Sequence, residues 1–327
     1  MSLADVNYLK GQKEYQRMAK HLLAIMEPLI RCSTPSGREE EVAERLLQFV
    51  NGRCPGWTAF SDRDGAEGIG NVLAVPTQYV DRSNRFASTK ALPIIMAHMD
   101  TVDMNDREQL STYAFSDSID GHGIVGGDQD FVLGFDDRAG IALILYLMST
   151  SRDPEFKVLF TVEEESTRHQ DLRVDGRGGG GGIQYALTAY REYFDTSPWT
   201  IMVDRAEDRS EPVGRGSIRK TPSDIVYNYF HQDTCSPAFR GKIEAISQDL
   251  STPMRSAESG AKGDTYNIYK HYRHGSRPYA SVNLAAGGYR EHKPGDYLCI
   301  YETIRTLRVV EECIRQQDDL YQASQAQ

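Results

Sequence analysis

Several short apolar runs in this chain stop abruptly at an acidic residue or a histidine, and this pattern restricts the fold more than any other feature. Residues 92–97 run into His98-Met99-Asp100, residues 156–162 into Glu163-Glu164-Glu165, and residues 199–203 into Asp204. The runs are apolar almost throughout instead of alternating, which is the pattern of strands buried on both faces. Residues 57–60, 70–75 and 280–285 read as further strands. Between them lie segments of helical period. Residues 13–31 carry Met18, Leu22, Ile25, Met26 and Ile30, and 38–49 carry Val42, Leu46 and Leu47 behind a first turn rich in glutamate. Residues 139–148, 183–194 and 302–316 complete the set. Strand–helix alternation of this kind predicts an α/β protein around a largely parallel sheet.

The carboxyl ends of parallel strands are where open α/β sheets bind ligands. Here those ends deliver His98 and Asp100, the three glutamates, and Asp204. The pair Asp136-Asp137 precedes an apolar helix, and Gly287-Gly288 leads to Tyr289-Arg290-Glu291-His292. Taken singly, each feature has a plain structural reading: a buried histidine, an N-terminal helix cap, a solvated loop. Taken together, carboxylates converging on one rim repel one another unless cations neutralise them. Mixed imidazole and carboxylate donors suit zinc or a similar divalent ion.

The order of these motifs resembles the co-catalytic zinc exopeptidases and deacylases, a family that includes peptidase T and the acetylornithine deacetylase and glutamyl aminopeptidase groups. The likeness starts at Thr34-Pro35-Ser36-Gly37-Arg38-Glu39-Glu40, continues through Gly70-Asn71-Val72, and reaches His292. The segment from Val132 to Ala142, with Gly134-Phe135-Asp136-Asp137-Arg138, is most similar to peptidase T. The resemblance implies a three-layer α/β sandwich around a mixed, mostly parallel sheet, the zinc-exopeptidase (phosphorylase/hydrolase-like) fold. It also implies two divalent metal ions, zinc first, with cobalt or manganese as alternatives. His98 and Asp204 would hold one ion, Glu165 and His292 the other, and Asp136 both. Glu164 would be the general base for a water shared by the metals, and Asp100 would orient the imidazole of His98. Asp264 sits where relatives place an acidic residue facing the substrate.

Several positions depart from the family. Thr167 stands where relatives have glycine two residues after the metal-binding glutamate, and the loop that follows ends in Gly178–Gly182 without the lysine-serine ending of a phosphate loop. Relatives carry a lid domain either between the fourth and fifth ligands or between the first two. Here both intervals are short for an independent domain. The expectation is one catalytic domain over 1–327, with an irregular embellishment at 205–259 and no full lid. The lid histidine that relatives use on the oxyanion has no counterpart beyond His231, for which a structural role is favoured.

A net charge of −10, from 37 Lys plus Arg against 47 Asp plus Glu, argues against nucleic acid as the partner. No run approaches the roughly 18 apolar residues of a membrane span, and no basic-then-apolar leader opens the sequence. Five scattered cysteines read as free thiols of a reducing cytoplasm. The leading expectation is a cytoplasmic aminopeptidase or di/tripeptidase whose acidic pocket residue, Asp264 or Glu163, receives a free amino terminus. An N-acyl amino acid deacylase is the alternative within enzymes. It needs cations for the substrate carboxylate, for which Arg138, Arg205, Arg290 and Lys293 are candidates. A scaffold that has lost activity is the third reading. Oligomeric state stays open.

Overall fold

The computed structural model describes residues 13–32, 34–64, 68–81, 83–84, 87–101, 113–116, 124–127, 132–165, 181–204, 224–229, 232–254, 256–259, 263–273, 279–289 and 295–326. In chain order the elements begin with helices α1 (Lys13–Ile30) and α2 (Glu40–Arg53). Strands β1 (Trp57–Ser61), β2 (Val72–Pro76), β3 (Ile94–His98), β4 (Tyr113–Ser116) and β5 (Ile124–Gly127) follow, then helix α3 (Phe135–Thr150). Next come β6 (Lys157–Thr161), α4 (Gly181–Ala189), α5 (Arg191–Asp195), β7 (Trp199–Asp204), β8 (Ile225–Tyr229) and β9 (Gln232–Asp233). Last in order are α6 (Pro237–Asp249), β10 (Ser256–Ser259), α7 (Asp264–Tyr272), β11 (Ala280–Ala285), β12 (Gly288–Tyr289), β13 (Tyr297–Cys299), α8 (Ile300–Arg315) and α9 (Gln317–Gln325).

The main sheet runs β1-β2-β6-β3-β7-β11-β8-β10, with the short β9 paired to β8. Its four central strands, β6, β3, β7 and β11, are mutually parallel. Antiparallel pairs flank them, β2 against β6 on one side and β8 against β11 on the other. The sheet is therefore mixed and mostly parallel, as expected.

Side chains alternate across each central strand, and the core divides accordingly. Ile95, Ala97, Val158, Phe160, Ile201, Val203, Val282 and Leu284 pack with α1, α2, α3, α6 and α8 on one face. Ile94, Met96, Leu159 and Met202 pack with α4, α5 and Ile268 of α7 on the other. Two helical layers around one sheet make the expected three-layer sandwich. Helix α3 is buried along its length apart from the last two residues. This explains why its sequence is apolar on every side.

Within 205–259 the described part is not an irregular embellishment. Strands β8 and β10 extend the main sheet, and α6 packs on its face. The sequence carried a signal for α6: Ser236 accepts from the Phe239 amide at 3.1 Å as N-cap, with Pro237 at the first helical position. A second, four-stranded sheet, β12-β13-β5-β4, is antiparallel throughout. The expected helix at 183–194 is two, α4 and α5, parted at Tyr190. No helix among the described residues is long and apolar enough to cross a membrane, and the five cysteines form no disulfide.

Candidate metal centre

Because β6, β3, β7 and β11 are parallel, their carboxyl ends share one edge. His98 closes β3 opposite Thr161, which closes β6, and Asp204 closes β7 opposite Ala285. Gly134 brings the start of α3 to the same edge. It lies in the left-handed region at φ +72°, and a Cβ there would stand 2.8 Å from Thr101 Cγ2. Asp136 and Asp137 follow, joined by a cis peptide and not yet helical in φ and ψ.

His98 is fully buried. Its Nδ1 is 3.0 Å from the Asp100 main-chain oxygen and 3.3 Å from Asp100 Oδ1, while Nε2 is 2.8 Å from Asp136 Oδ1 and 3.6 Å from Asp204 Oδ1. Burial opposes a charged imidazole, but Asp100, Asp136 and Asp204 together push His98 well above the usual range. Asp204 is raised by burial and by Asp136 beside it. Asp137 is raised well above its usual range by burial and Asp204, and its carboxylate accepts from the amides of His98 (3.3 Å) and Gly140 (2.9 Å).

The donor set fits a divalent ion. Ligand atoms of His98, Asp136 and Glu165 lie within 4.8 Å of one another, as do those of His98, Asp137 and Asp204. Donors about 2.0–2.2 Å from a common ion stand no more than about 4.4 Å apart, so little closure separates these groups from coordination. The crowding of carboxylates that raises Asp204 is the repulsion such an ion relieves.

Glu164 and Glu165 follow β6 after Val162 and Glu163 and are half-buried. Their amides are taken by one carboxylate: Asp100 Oδ1 accepts from Glu164 at 3.0 Å and Oδ2 from Glu165 at 2.8 Å. Oδ2 also accepts from the Ser36 hydroxyl at 2.6 Å. Burial alone would raise Asp100, but the bonds from His98 and these donors hold it below its usual range. Glu164 is raised well above its usual range by burial and by Glu165, with Asp264 and Asp204 adding to it.

Asp264 opens α7 with no exposed surface. Its Oδ2 accepts from the Thr161 hydroxyl at 2.7 Å, whereas its buried Oδ1 has no hydrogen-bond partner among the described residues. Burial pushes this carboxyl up to about 7. Glu163, also considered for the amino terminus, adopts a left-handed φ of 57° and lays its carboxylate against Gly181 at the start of α4. Arg138 is 1% exposed, and its guanidinium donates to Leu29 O, Met99 O and Thr34 Oγ1, so it offers nothing to a substrate. His292, Arg205, Arg290, Lys293 and His231 lie outside the described residues.

Four supporting roles are visible only in the structure, although Glu39, Asn71 and Asp137 stand in motifs quoted above. Asp137 ties His98 to α3. Asn71 joins β6 to α4, accepting from Val162 N at 3.1 Å and donating to Gly182 O at 3.0 Å. Glu39 accepts from Glu163 N at 3.0 Å. Asp296 accepts from the amides of Leu133 (2.7 Å), Gly134 (3.0 Å) and Phe135 (3.4 Å). All four act through main-chain groups distant in sequence, which no local pattern announces.

No protein-family model matches the chain, and no curated protein sequence matches it. Solved structures do share its fold. An aminopeptidase PepT from Bacillus cereus superposes with a TM-score of 0.61 at 14% identity, over 93% of this chain and 99% of that one. A TET aminopeptidase from a marine sediment thaumarchaeote gives 0.63 at 13%, over 93% and 99%. A tripeptidase from Staphylococcus aureus gives 0.58 at 13%, over 91% and 99%. The fold expected from the resemblance is thus the fold found.

Proposed function

We propose that the chain hydrolyses a peptide bond next to a free amino terminus, as an aminopeptidase or a di- or tripeptidase of the cytoplasm using two divalent ions. The observation that carries this reading is the convergence of His98, Asp136, Glu165 and Asp204 around Glu164 at one sheet edge. The aminopeptidases and the tripeptidase of the same fold support it. His98 and Asp204 would hold one ion, Glu165 and His292 the other, and Asp136 both. Zinc is the first candidate, with cobalt and manganese behind it. Ions bound there lower the pKa of water and polarise a carbonyl oxygen.

The protein groups then divide the work. Glu164 takes a proton from the attacking water and returns it to the leaving nitrogen, so it ends the cycle as it began. Asp100 keeps Glu164 and Glu165 in place through their amides and fixes the ring of His98. Asp264 receives the substrate's amino group. A buried carboxylate oxygen without a partner is costly by itself, and an ammonium supplies a charge-assisted bond to it.

A panel of unblocked peptides, N-blocked peptides and N-acyl amino acids, offered to protein loaded with zinc or cobalt, tests this. Turnover of the unblocked peptides alone supports the reading. Exclusive turnover of acylated substrates overturns it for a deacylase. Neither turnover nor metal uptake by elemental analysis leaves a scaffold.

A further inference from the structure

We propose that Glu39 is a positioning residue for the segment 163–165, and through it for Glu164; the importance of Glu164 rests on the peptidase reading. Glu39 directly precedes α2 in a run of three glutamates, where an acidic residue ordinarily serves the helix. Its side chain does not cap α2. The carboxylate turns the other way, and Oε1 accepts from Gly37 N at 2.9 Å and from Glu163 N at 3.0 Å. The second partner is 124 residues away in sequence. Glu39 is 2% exposed, so this is a buried tie and not a surface contact.

The tie completes a set. Three successive amides, those of Glu163, Glu164 and Glu165, each end on a carboxylate: the first on Glu39 and the next two on Asp100. Glu163 at φ 57° gives this segment a turn that a non-glycine residue holds only when its surroundings dictate it. Such turns point consecutive N–H groups to one side, where anions bind them. The two carboxylates are linked in turn by the tight turn 35–37, since Ser36 bonds to Asp100 and Gly37 to Glu39. Glu39 thereby anchors the residue before Glu164, and loss of that anchor frees the segment to swing its glutamates away from the rim.

Only Oε1 of Glu39 is used, and Oε2 has no hydrogen-bond partner among the described residues. Glutamine keeps the accepting oxygen, whereas alanine removes it. The test compares Glu39→Gln and Glu39→Ala in the full, metal-loaded protein. Hydrogen exchange by mass spectrometry reads the amides of 163–165, and kcat and KM are measured on an unblocked peptide. Glu39→Ala is expected to speed exchange of those amides selectively and to lower kcat about 10- to 100-fold with little change in KM, the effect of a small misplacement of a reacting group. Glu39→Gln is expected to stay near the parent in both. Should Glu39→Ala fail to fold, Glu39→Asp, one methylene too short to hold both amides, takes its place. Unchanged exchange and kcat in the shortened variants overturn the proposal, as does a glutamine variant as impaired as alanine. If the parent cleaves no peptide, the peptidase reading fails while the exchange comparison still decides the role of Glu39.

Discussion

The main-chain oxygen of Asp100 lies 3.0 Å from Nδ1 of His98, and because a carbonyl only accepts, Nδ1 carries the proton. Nε2 is thereby left to face Asp136 at 2.8 Å and Asp204 at 3.6 Å. The carboxylate of Asp100 adds ties of its own, to Ser36, Glu164 and Glu165, and its Oδ1 lies 3.3 Å from the same Nδ1. Asp100→Ala retains the carbonyl contact and deletes those ties. Metal affinity is expected to fall about 10- to 100-fold, measured by competition with a chromophoric chelator; unchanged affinity would detach Asp100 from the centre.

Glu164 is expected to separate from its neighbours by function. Glu164→Gln should retain metal while turnover drops about 10²- to 10⁴-fold. His98→Ala and Asp136→Ala should lower metal content instead. Elemental analysis and steady-state rates on the same preparations read both effects, and an active Glu164→Gln variant would reassign the base.

On the proposed reading, Asp264 is expected to govern recognition of the amino group. Asp264→Asn preserves size and can still accept from Thr161, but it removes the charge that meets an ammonium. kcat/KM for unblocked peptides is expected to fall about 10- to 100-fold, the worth of a hydrogen bond to a charged group. Rates on N-acetylated peptides should move far less. Equal losses on both substrates would place Asp264 outside the amino-terminal pocket.

Asp296 makes stability depend on pH. Burial pushes this carboxyl up to about 7 against a usual value near 4, in spite of three amide donors. Between about pH 4 and 7 the unfolded chain has therefore released a proton that the folded protein retains, so stability falls as pH rises through that window. The contribution reaches at most about 4 kcal/mol. With chelator present, urea unfolding at pH 5 and pH 8 should show a smaller pH-dependent loss for Asp296→Asn than for the parent. Identical losses would reject the assignment.

Gly182 is required for close approach. A Cβ there would come within 2.4 Å of Val162 O and 2.6 Å of Asn71 Oδ1, the atoms that tie α4 to the end of β6. Gly182→Ala is expected to lower stability by about 1–3 kcal/mol, read as a drop in the melting temperature. Gly241→Ala, where nothing lies within 4 Å of the added atom, is the control and should not be destabilised.

The framework was legible because its strongest elements are also the most uniformly apolar. β2, β3, β6, β7 and β11 are buried at every position, and such runs announce themselves. Helices α1 and α8 carry clean apolar stripes. Residues 139–148 were recognised as a helix, and the onset before them was missed because Asp136 and Asp137 have non-helical φ and ψ. The small sheet went unseen for the opposite reason: its strands are two to four residues long and all four contain tyrosine or glycine in place of an apolar run. β8 and β10 were lost because charged and proline-rich sequence surrounds them.

At the site, residues at strand ends were readable and those behind them were not. His98, Asp204 and the run Glu163–Glu165 stand where an apolar run stops, so position marked them, and the resemblance singled out Glu164 and Glu165 within that run. Asp264 came from resemblance, and its lone buried oxygen is visible only in three dimensions. Glu39, Asn71, Asp137 and Asp296 bond to amides or carbonyls of other segments. Glu39, Asn71 and Asp137 stand in the motifs that carry the resemblance and Asp296 in none, but the sequence gives the partners of no one of them.

β7 leaves the rim at Asp204, and β8, antiparallel to β11, starts beside Ala285 where the amide of that residue meets Asp224. In the same way β6 departs through Glu165 and α4 begins against Val162. Both connections, 166–180 and 205–223, have their two ends anchored at a single border of the molecule. Substitutions at Val162, Asp204, Asp224 or Ala285 therefore bear on where the chain departs from the sheet and where it returns.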